Sequence, residues 1–427
     1  MKPSRRAAGT RVGGARSATR ALPVALPALL AATSAAATEY QVNPRVELGG
    51  GYNDNVTLVT GAGVVAAPEA LADARVDFVA AESNWQMRAM PEVRGTWYSG
   101  HSELNSNGEF LNLEAQRTGP RYSLDVFGYG ASELLLSSYL PTANIGSGLG
   151  VAEPGTTLAT SASVRQNLGY VRPVYEFQMT PRRSLELNVE YTYATYDQVK
   201  GGYTNYRNLA GAAGLALKAT PTGSVTLRAV ARDFHPDVGP TADTYGAEVQ
   251  WDGKFTATKL YYLRVGGQRT DLSGTLPGES VPVTASATTT VTGGAGTHWT
   301  YTLTEVFADL TRDVQPTGQG YAVTRNQLRL RVARRFTPRF AGFVGARGIY
   351  DDPLPGSVAP GIQAQRYYYG TVGFEWRFVR QFTVIGAYDY TNYHYGGAAA
   401  ARANAAYLSL VYEPHRPENG PAITVGY

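Results

Sequence analysis

The sequence predicts an all-β protein: a transmembrane antiparallel up-and-down barrel of about 18 strands, roughly 16 to 20. Three observations predict it. From residue 45 onward apolar residues recur every second position, the period of a strand and not of a helix. Strands are joined alternately by tight turns and by long polar loops. Finally, only 17% of the 427 residues are charged, against roughly 25% in an average soluble domain, while no run approaches the ~20 apolar residues of a membrane helix. Gly 48 and Tyr 29 suit a large β structure, and the absence of cysteine excludes disulfides, thiolate metal sites and a cysteine nucleophile.

Residues 1–37 predict a secretory signal peptide ahead of a barrel at 38–427. Lys2, Arg5, Arg6, Arg11, Arg16 and Arg20 precede an apolar run from Ala21 to Ala32, and the small residues Ala35 and Ala37 suit cleavage before Thr38. The 38 basic residues less those six leave 32 against 34 acidic ones, so the whole-chain charge of +4 becomes about −2. That balance removes the case for a nucleic-acid partner.

Strands are predicted in order at 46–53, where Val46, Leu48 and Tyr52 alternate with Glu47 and glycines, then at 74–81, 85–98 and 108–117. The turn Thr118-Gly-Pro-Arg121 leads to 122–132, followed by the longest loop, 133–160. Next come 164–179, the turn Thr180-Pro-Arg-Arg183, and 184–196, which sets Leu185, Leu187, Val189, Tyr191 and Tyr193 against Glu186, Asn188 and Glu190. Strand 206–218 and the turn Thr220-Pro-Thr-Gly223 precede 224–233; strand 244–256 sets Ala247, Val249 and Trp251 against Glu248, Gln250 and Asp252. Strands 260–270, 287–299, 303–313 and 323–336 follow, with turns near Thr258 and Thr302. The turn Thr337-Pro-Arg-Phe340 opens 340–350, then come 366–378, the turn Val379-Arg-Gln-Phe382, 382–391 and 403–412. Proline at the second turn position presets φ there. The long connections start after Asp197, Asp233, Asp271, Asp313, Asp351 and Asp389, at intervals of 36, 38, 42, 38 and 38 residues. That is a hairpin repeat, with the turns expected in the periplasm and the loops outside. Beyond His415–Pro421, the alternating Ile423, Val425 and Tyr427 read as a barrel-assembly signal, so either the last strand is interrupted or the count is off by one or two.

Apolar rows such as Val46, Leu48 and Tyr52 end in aromatic residues, as a membrane interface requires, and contain Gly and Ala where a soluble core has Val, Ile and Leu. The opposite faces are charged and are expected to enclose water. Arg228, Arg264, Arg329, Arg331, Arg347 and Arg377 fall on them, the last four on one wall, with Glu186 and Glu190 across the barrel. Two readings fit: an electropositive stripe guiding an anionic solute, or a ladder of cross-strand ion pairs with Glu375 and Asp309 as partners. Lumen-side Tyr98, Tyr129, Tyr170, Tyr262 and Tyr369 stack on sugars or simply pack. Asp54 and the six loop-proximal aspartates form an extracellular rim, read either as a divalent-cation site bridging lipopolysaccharide or as strand-ending turn residues. His101, His235, His298, His394 and His415 show no metal-ligand spacing, and no nucleophile elbow or phosphate loop is present, so no cofactor, metal or catalytic residue is expected.

The segment Val46-Glu-Leu-Gly-Gly-Gly-Tyr-Asn-Asp-Asn-Val56 and the Thr-Pro hairpin repeat resemble the β-barrel porin 2 family. The resemblance implies an outer-membrane barrel of Gram-negative bacteria, often encoded in exopolysaccharide clusters and taken to pass polymer across the outer membrane. On that basis the first functional expectation is a passive, non-enzymatic conduit for polysaccharide export. Its expected partners are outer-membrane lipid and lipopolysaccharide, the β-barrel assembly machinery and periplasmic polysaccharide-export proteins. The alternative is a general or substrate-selective diffusion porin for small solutes. A barrel enzyme or adhesin needs a convergent nucleophile and base or a sticky loop surface, and neither is evident.

Overall fold

A computed structural model describes residues 38–135, 164–197, 203–274, 286–355, 364–396 and 399–414. They form an 18-stranded antiparallel sheet. Its strands are β1 (Glu39–Asn53), β2 (Ala67–Ala81), β3 (Trp85–Tyr98), β4 (Ser106–Thr118), β5 (Tyr122–Leu135), β6 (Val164–Thr180), β7 (Arg183–Tyr196), β8 (Tyr206–Thr220) and β9 (Gly223–Pro236). The second half runs β10 (Thr241–Thr256), β11 (Lys259–Ser273), β12 (Ser286–Thr300), β13 (Thr304–Pro316), β14 (Ala322–Thr337), β15 (Phe340–Pro353), β16 (Gln365–Val379), β17 (Phe382–Tyr395) and β18 (Ala401–Tyr412). Each strand pairs with the next, and β1 also pairs with β18 from Val46↔Tyr412 to Asn53↔Ala405, which closes the barrel.

Closure settles the question left open by the tail. β18 is uninterrupted and completes the seam without residues 415–427; Ile423, Val425 and Tyr427 lie outside the described residues, as do the leader 1–37 and most of the loop 133–160. Strands also run past the predicted limits. β1 begins at Glu39 and β2 at Ala67, while β9, β15 and β17 end at Pro236, Pro353 and Tyr395. Above and below a hydrocarbon band ~25 Å tall the ladder continues without an apolar face, so alternation marks only the middle of each strand. The loops therefore open 3 residues after Asp233 and 6 after Asp389.

The turns follow the predicted chemistry. One register shift stands at each of Gln178/Thr180, Lys218/Thr220, Lys254/Thr256, Arg335/Thr337 and Arg377/Val379, just before a two-residue turn. In three of these the threonine hydroxyl accepts from the amide two residues on: Arg182, Thr258 and Arg339 donate to Thr180, Thr256 and Thr337. The bulge carries the extra twist and the hydroxyl satisfies the freed amide.

The outer face is apolar and exposed, with Leu48, Leu187, Val189, Leu227, Leu263, Val265, Val291, Leu310, Val372 and Leu408 among its residues. On the turn side, rings touch from strand to strand: Phe336 with Phe340, Phe340 with Phe374, Phe378 with Phe382, and Phe382 with Tyr412, their centroids 5.0–6.1 Å apart. An exposed apolar band edged by an aromatic belt is the surface of a membrane-spanning barrel, and closure leaves no unpaired edge for lipid to meet.

Candidate functional site

Inward-facing positions build a cavity of about 810 Å³ lined by strands from β6 to β16. Among the described residues it presents seven arginines and six carboxylates. Arg228 on β9 reaches over β8 to Glu186 on β7 at 2.9 Å and meets Gln250 at 2.7 Å and Glu248 at 3.5 Å on β10. Arg264 on β11 spans β12 to Asp313 on β13 at 2.6 Å and approaches Glu248 at 3.4 Å. Tyr262 crosses the same strand to donate to Asp309.

Such reach requires bare strands beneath. At Gly214 a Cβ would stand 2.8 Å from Arg228 Cγ; at Gly296 it would stand 2.3 Å from the Tyr262 ring and 3.1 Å from Asp309 Oδ1. Inward glycines on β8 and β12 are thus slots over which long side chains lie flat. Gly296→Leu is expected to evict the Tyr262 ring and cost about 1–3 kcal/mol. Gly169→Ala, whose Cβ meets nothing within 4 Å, is expected to stay within ~0.5 kcal/mol. Urea unfolding of the detergent-folded barrel compares them.

The two readings of the arginines divide by residue. Arg228 and Arg264 belong to the ion-pair ladder. Arg329 pairs with Asp309 at 2.8 Å and covers the Phe307 ring, yet its facing residue on β15 is Arg347. Arg331 lies one step toward the turns on the same face. Within the cavity wall of β14 and β15 stand three arginines, with Glu305, Asp309 and Asp313 on neighbouring β13, while Glu186 and Glu190 line the wall at β7 beside Arg172, Arg228 and Arg232. Arg377 is on the inward face of β16 but is not among the residues lining the cavity.

A hairpin narrows the loop end of the lumen. The hairpin joining β13 and β14 is buried on both faces from Pro316 to Gly318 and from Gly320 to Arg325, so it folds into the barrel mouth. Its tip reaches the far wall: Thr204 N–H donates to Gly318 O at 2.8 Å, and the Arg232 guanidinium donates to Val314 O. Gly239 (φ +120) and Gly320 (φ +82) abut so closely that a Cβ on Gly239 would lie 2.4 Å from Gly320 O. Around the tip, Tyr206, Phe234, Leu272, Val314 and Leu354 form one buried cluster, and Gln315 lines the cavity below.

A second insertion comes from the loop after β1. Leu58 (φ +49) is buried against Ile349, Tyr367, Tyr369 and Tyr393. Asn55 holds that loop: its Nδ2 donates to Val59 O and to Arg402 O of β18, both at 2.8 Å, and its Oδ1 accepts from Val59 N–H. Asp54 accepts from Asn404 N–H and Nδ2 at 2.7 Å. The Asp-Asn pair that carries the family resemblance is therefore a staple across the closing seam. Asn55→Ala leaves three backbone groups without it, and a loss of about 1–3 kcal/mol is expected, read as a lower temperature for loss of the folded band in semi-native electrophoresis.

The predicted rim aspartates separate into two sets. Asp197, Asp233 and Asp271 stand near the loop end, bonded to Asn167, His235 and Arg269 respectively. Asp313, Asp351 and Asp389 are not on the rim: they face inward, and Asp351 and Asp389 are buried, because the strands continue past them. Asp351 takes a two-pronged pair from Arg325. Of the lumen tyrosines, Tyr170 donates to Glu190, while Tyr98 and Tyr369 are buried in apolar clusters. Sequence alternation found the inward faces but not the infolded hairpin, whose only signal is the Gly-rich Thr317-Gly-Gln-Gly320 between two strands.

No protein-family model matches the chain, and no curated protein matches it, so the likeness to the β-barrel porin 2 family stays a resemblance. Among solved structures, OccK5 (OpdH) of Pseudomonas aeruginosa aligns at 10% identity and TM-score 0.43, over 87% of this chain and 98% of that one. OccK2 (OpdF) of the same organism, in complex with glucuronate, aligns at 8% identity and TM-score 0.42, over 88% and 96%. BauA, the ferric preacinetobactin receptor from Acinetobacter baumannii, aligns at 11% and 0.42, over 88% and 81%.

Proposed function

We propose that the chain is an outer-membrane diffusion channel for small polar solutes, selective by charge, with its turns in the periplasm and its loops outside. The observation that carries this reading is the cavity: about 810 Å³ of space inside a closed barrel, arginines on the β14–β15 wall and glutamates on the β7 wall. That volume falls in the range of small-molecule sites. Fixed charges of both signs around the lining orient a dipolar or charged solute as it passes, and the three arginines of β14 and β15 favour anions.

Polysaccharide export finds no support in the lumen. A polymer needs a continuous bore, and the hairpin tip with its apolar cluster narrows the mouth. Passage needs only diffusion past fixed charges, so the reading is non-enzymatic.

Bilayer recording tests the reading. The protein is expected to conduct steadily and to pass small anions over cations. Replacing Arg329, Arg331 and Arg347 together by Gln is expected to lower the anion-to-cation permeability ratio at least about threefold, whereas Arg377→Gln leaves it unchanged. An equal response to both variants removes the cavity wall from selectivity, and absence of conductance removes the channel.

A further inference from the structure

We infer that the loop end of the outer face of β13–β18 docks a phosphate-bearing glycolipid of the outer leaflet. A single cross-strand row on that face runs Arg312, Asn326, Tyr350, Arg366 and His394, each the register partner of the next. Arg402 on β18 joins it one step inward, facing Asn392. These residues share the face of exposed Leu310, Leu328, Tyr368, Tyr388 and Leu408, so they point to lipid and not to the lumen. Ten residues separate Arg366 from Trp376 of the aromatic belt. With ordinary strand rise and tilt that spans ~25 Å, which puts the row at the outer edge of the hydrocarbon band, level with headgroups.

The charge there is one-sided. Arg312, Arg366 and Arg402 are exposed, and among the described residues none ion-pairs with a carboxylate. Arg366 lies over the Tyr350 ring at 5.4 Å, and Arg312 donates to Val291 O and Asn326 Oδ1, which leaves both guanidiniums with donors to spare. On this face the neighbouring acids are Asp352, beyond Tyr350, and Asp54, which Asn404 already engages. At the same level on β9, β10 and β11 the facing residues are Asp233, Asp243 and Asp271. There His235 and Arg269 contact Asp233 and Asp271, so that sector carries mixed charge, whereas Arg312, Arg366 and Arg402 stand without such a carboxylate among the described residues. Three arginines at the border of a low-dielectric slab call for an anion that resides there, and lipid phosphate is that anion. Tyr350, Tyr368 and Asn392 beside them offer rings and donors to the attached sugars.

The inference rests on the outer-membrane reading but not on conduction. Purified full-length protein in detergent is titrated with diphosphorylated lipid A and followed by native mass spectrometry. Saturable binding is expected, about fivefold weaker for Arg366→Gln and at least tenfold weaker when Arg312, Arg366 and Arg402 are all Gln, with bilayer conductance unchanged because no lumen residue is touched. The triple Lys variant is expected to keep most of the affinity and serves where the Gln variant does not fold. Equal binding by wild type and the Gln variants overturns the proposal. So does equal binding of dephosphorylated lipid A, which marks a merely apolar contact, or full displacement by millimolar inorganic phosphate, which marks a free-anion site. A barrel that binds the lipid but does not conduct loses the channel reading and keeps this one.

Discussion

Replacing Thr317–Tyr321 by a two-residue Asn-Gly turn is expected to raise single-channel conductance at least about threefold. Pro316 and Ala322 are register partners, so a tight turn can bridge them without disturbing the β13–β14 ladder. What disappears is the bridge across the mouth. The Thr204–Gly318 hydrogen bond goes, along with the glycine-to-glycine packing of Gly320 on Gly239 and the Tyr321 ring, whose hydroxyl contacts Gln319 and Gln365. Thr317 Oγ1 donates to Tyr321 O at 2.8 Å, so the tip is a self-bonded unit that can be removed whole. Selectivity is expected to persist, since Arg329, Arg331 and Arg347 lie below the tip. Unchanged conductance would mean that the narrowest point lies elsewhere.

How much of this was legible in the sequence follows from what alternation can encode. Leu185, Leu187 and Val189 against Glu186, Asn188 and Glu190 fix both the strand and its two solvents, because lipid and water demand opposite side chains at a period of two. The Thr-Pro turns are equally local, since a bulge, a proline φ and one threonine hydroxyl act within four residues. The infolded hairpin was not legible. Its burial comes from Thr204, Arg232 and Gly239 on the far wall, 79 to 114 residues away from Gly318 in the chain. Nor was the fate of the repeated aspartates. The same residue type at nearly the same interval serves as an exposed end group at Asp271 and as a buried partner at Asp351, and face parity decides which. The glycines of β8 and β12 show the same limit: they thin the alternation locally, and their reason is an arginine or tyrosine reaching across from the next strand.

The largest stability effect is expected at Asp351. Arg325 and Asp351 face each other across β14 and β15, with Nε to Oδ1 at 2.7 Å and Nη2 to Oδ2 at 2.6 Å, and their side chains are 5% and 4% exposed. A buried pair of this kind adds little over an apolar pair of the same volume, because both ions lose water. Removing one partner is different. Asp351→Ala strips the two-pronged partner from a buried guanidinium, and a loss of about 3–5 kcal/mol is expected in urea unfolding. The double change Arg325→Met with Asp351→Leu is expected to recover most of that loss, since both members of the buried pair are replaced by apolar groups. The hairpin tip grows directly from β14 three residues before Arg325, so the single variant is also expected to conduct more noisily than wild type while the double variant does not. If Asp351→Ala proves as stable as the double variant, then water enters the site and the pair is no anchor for the hairpin.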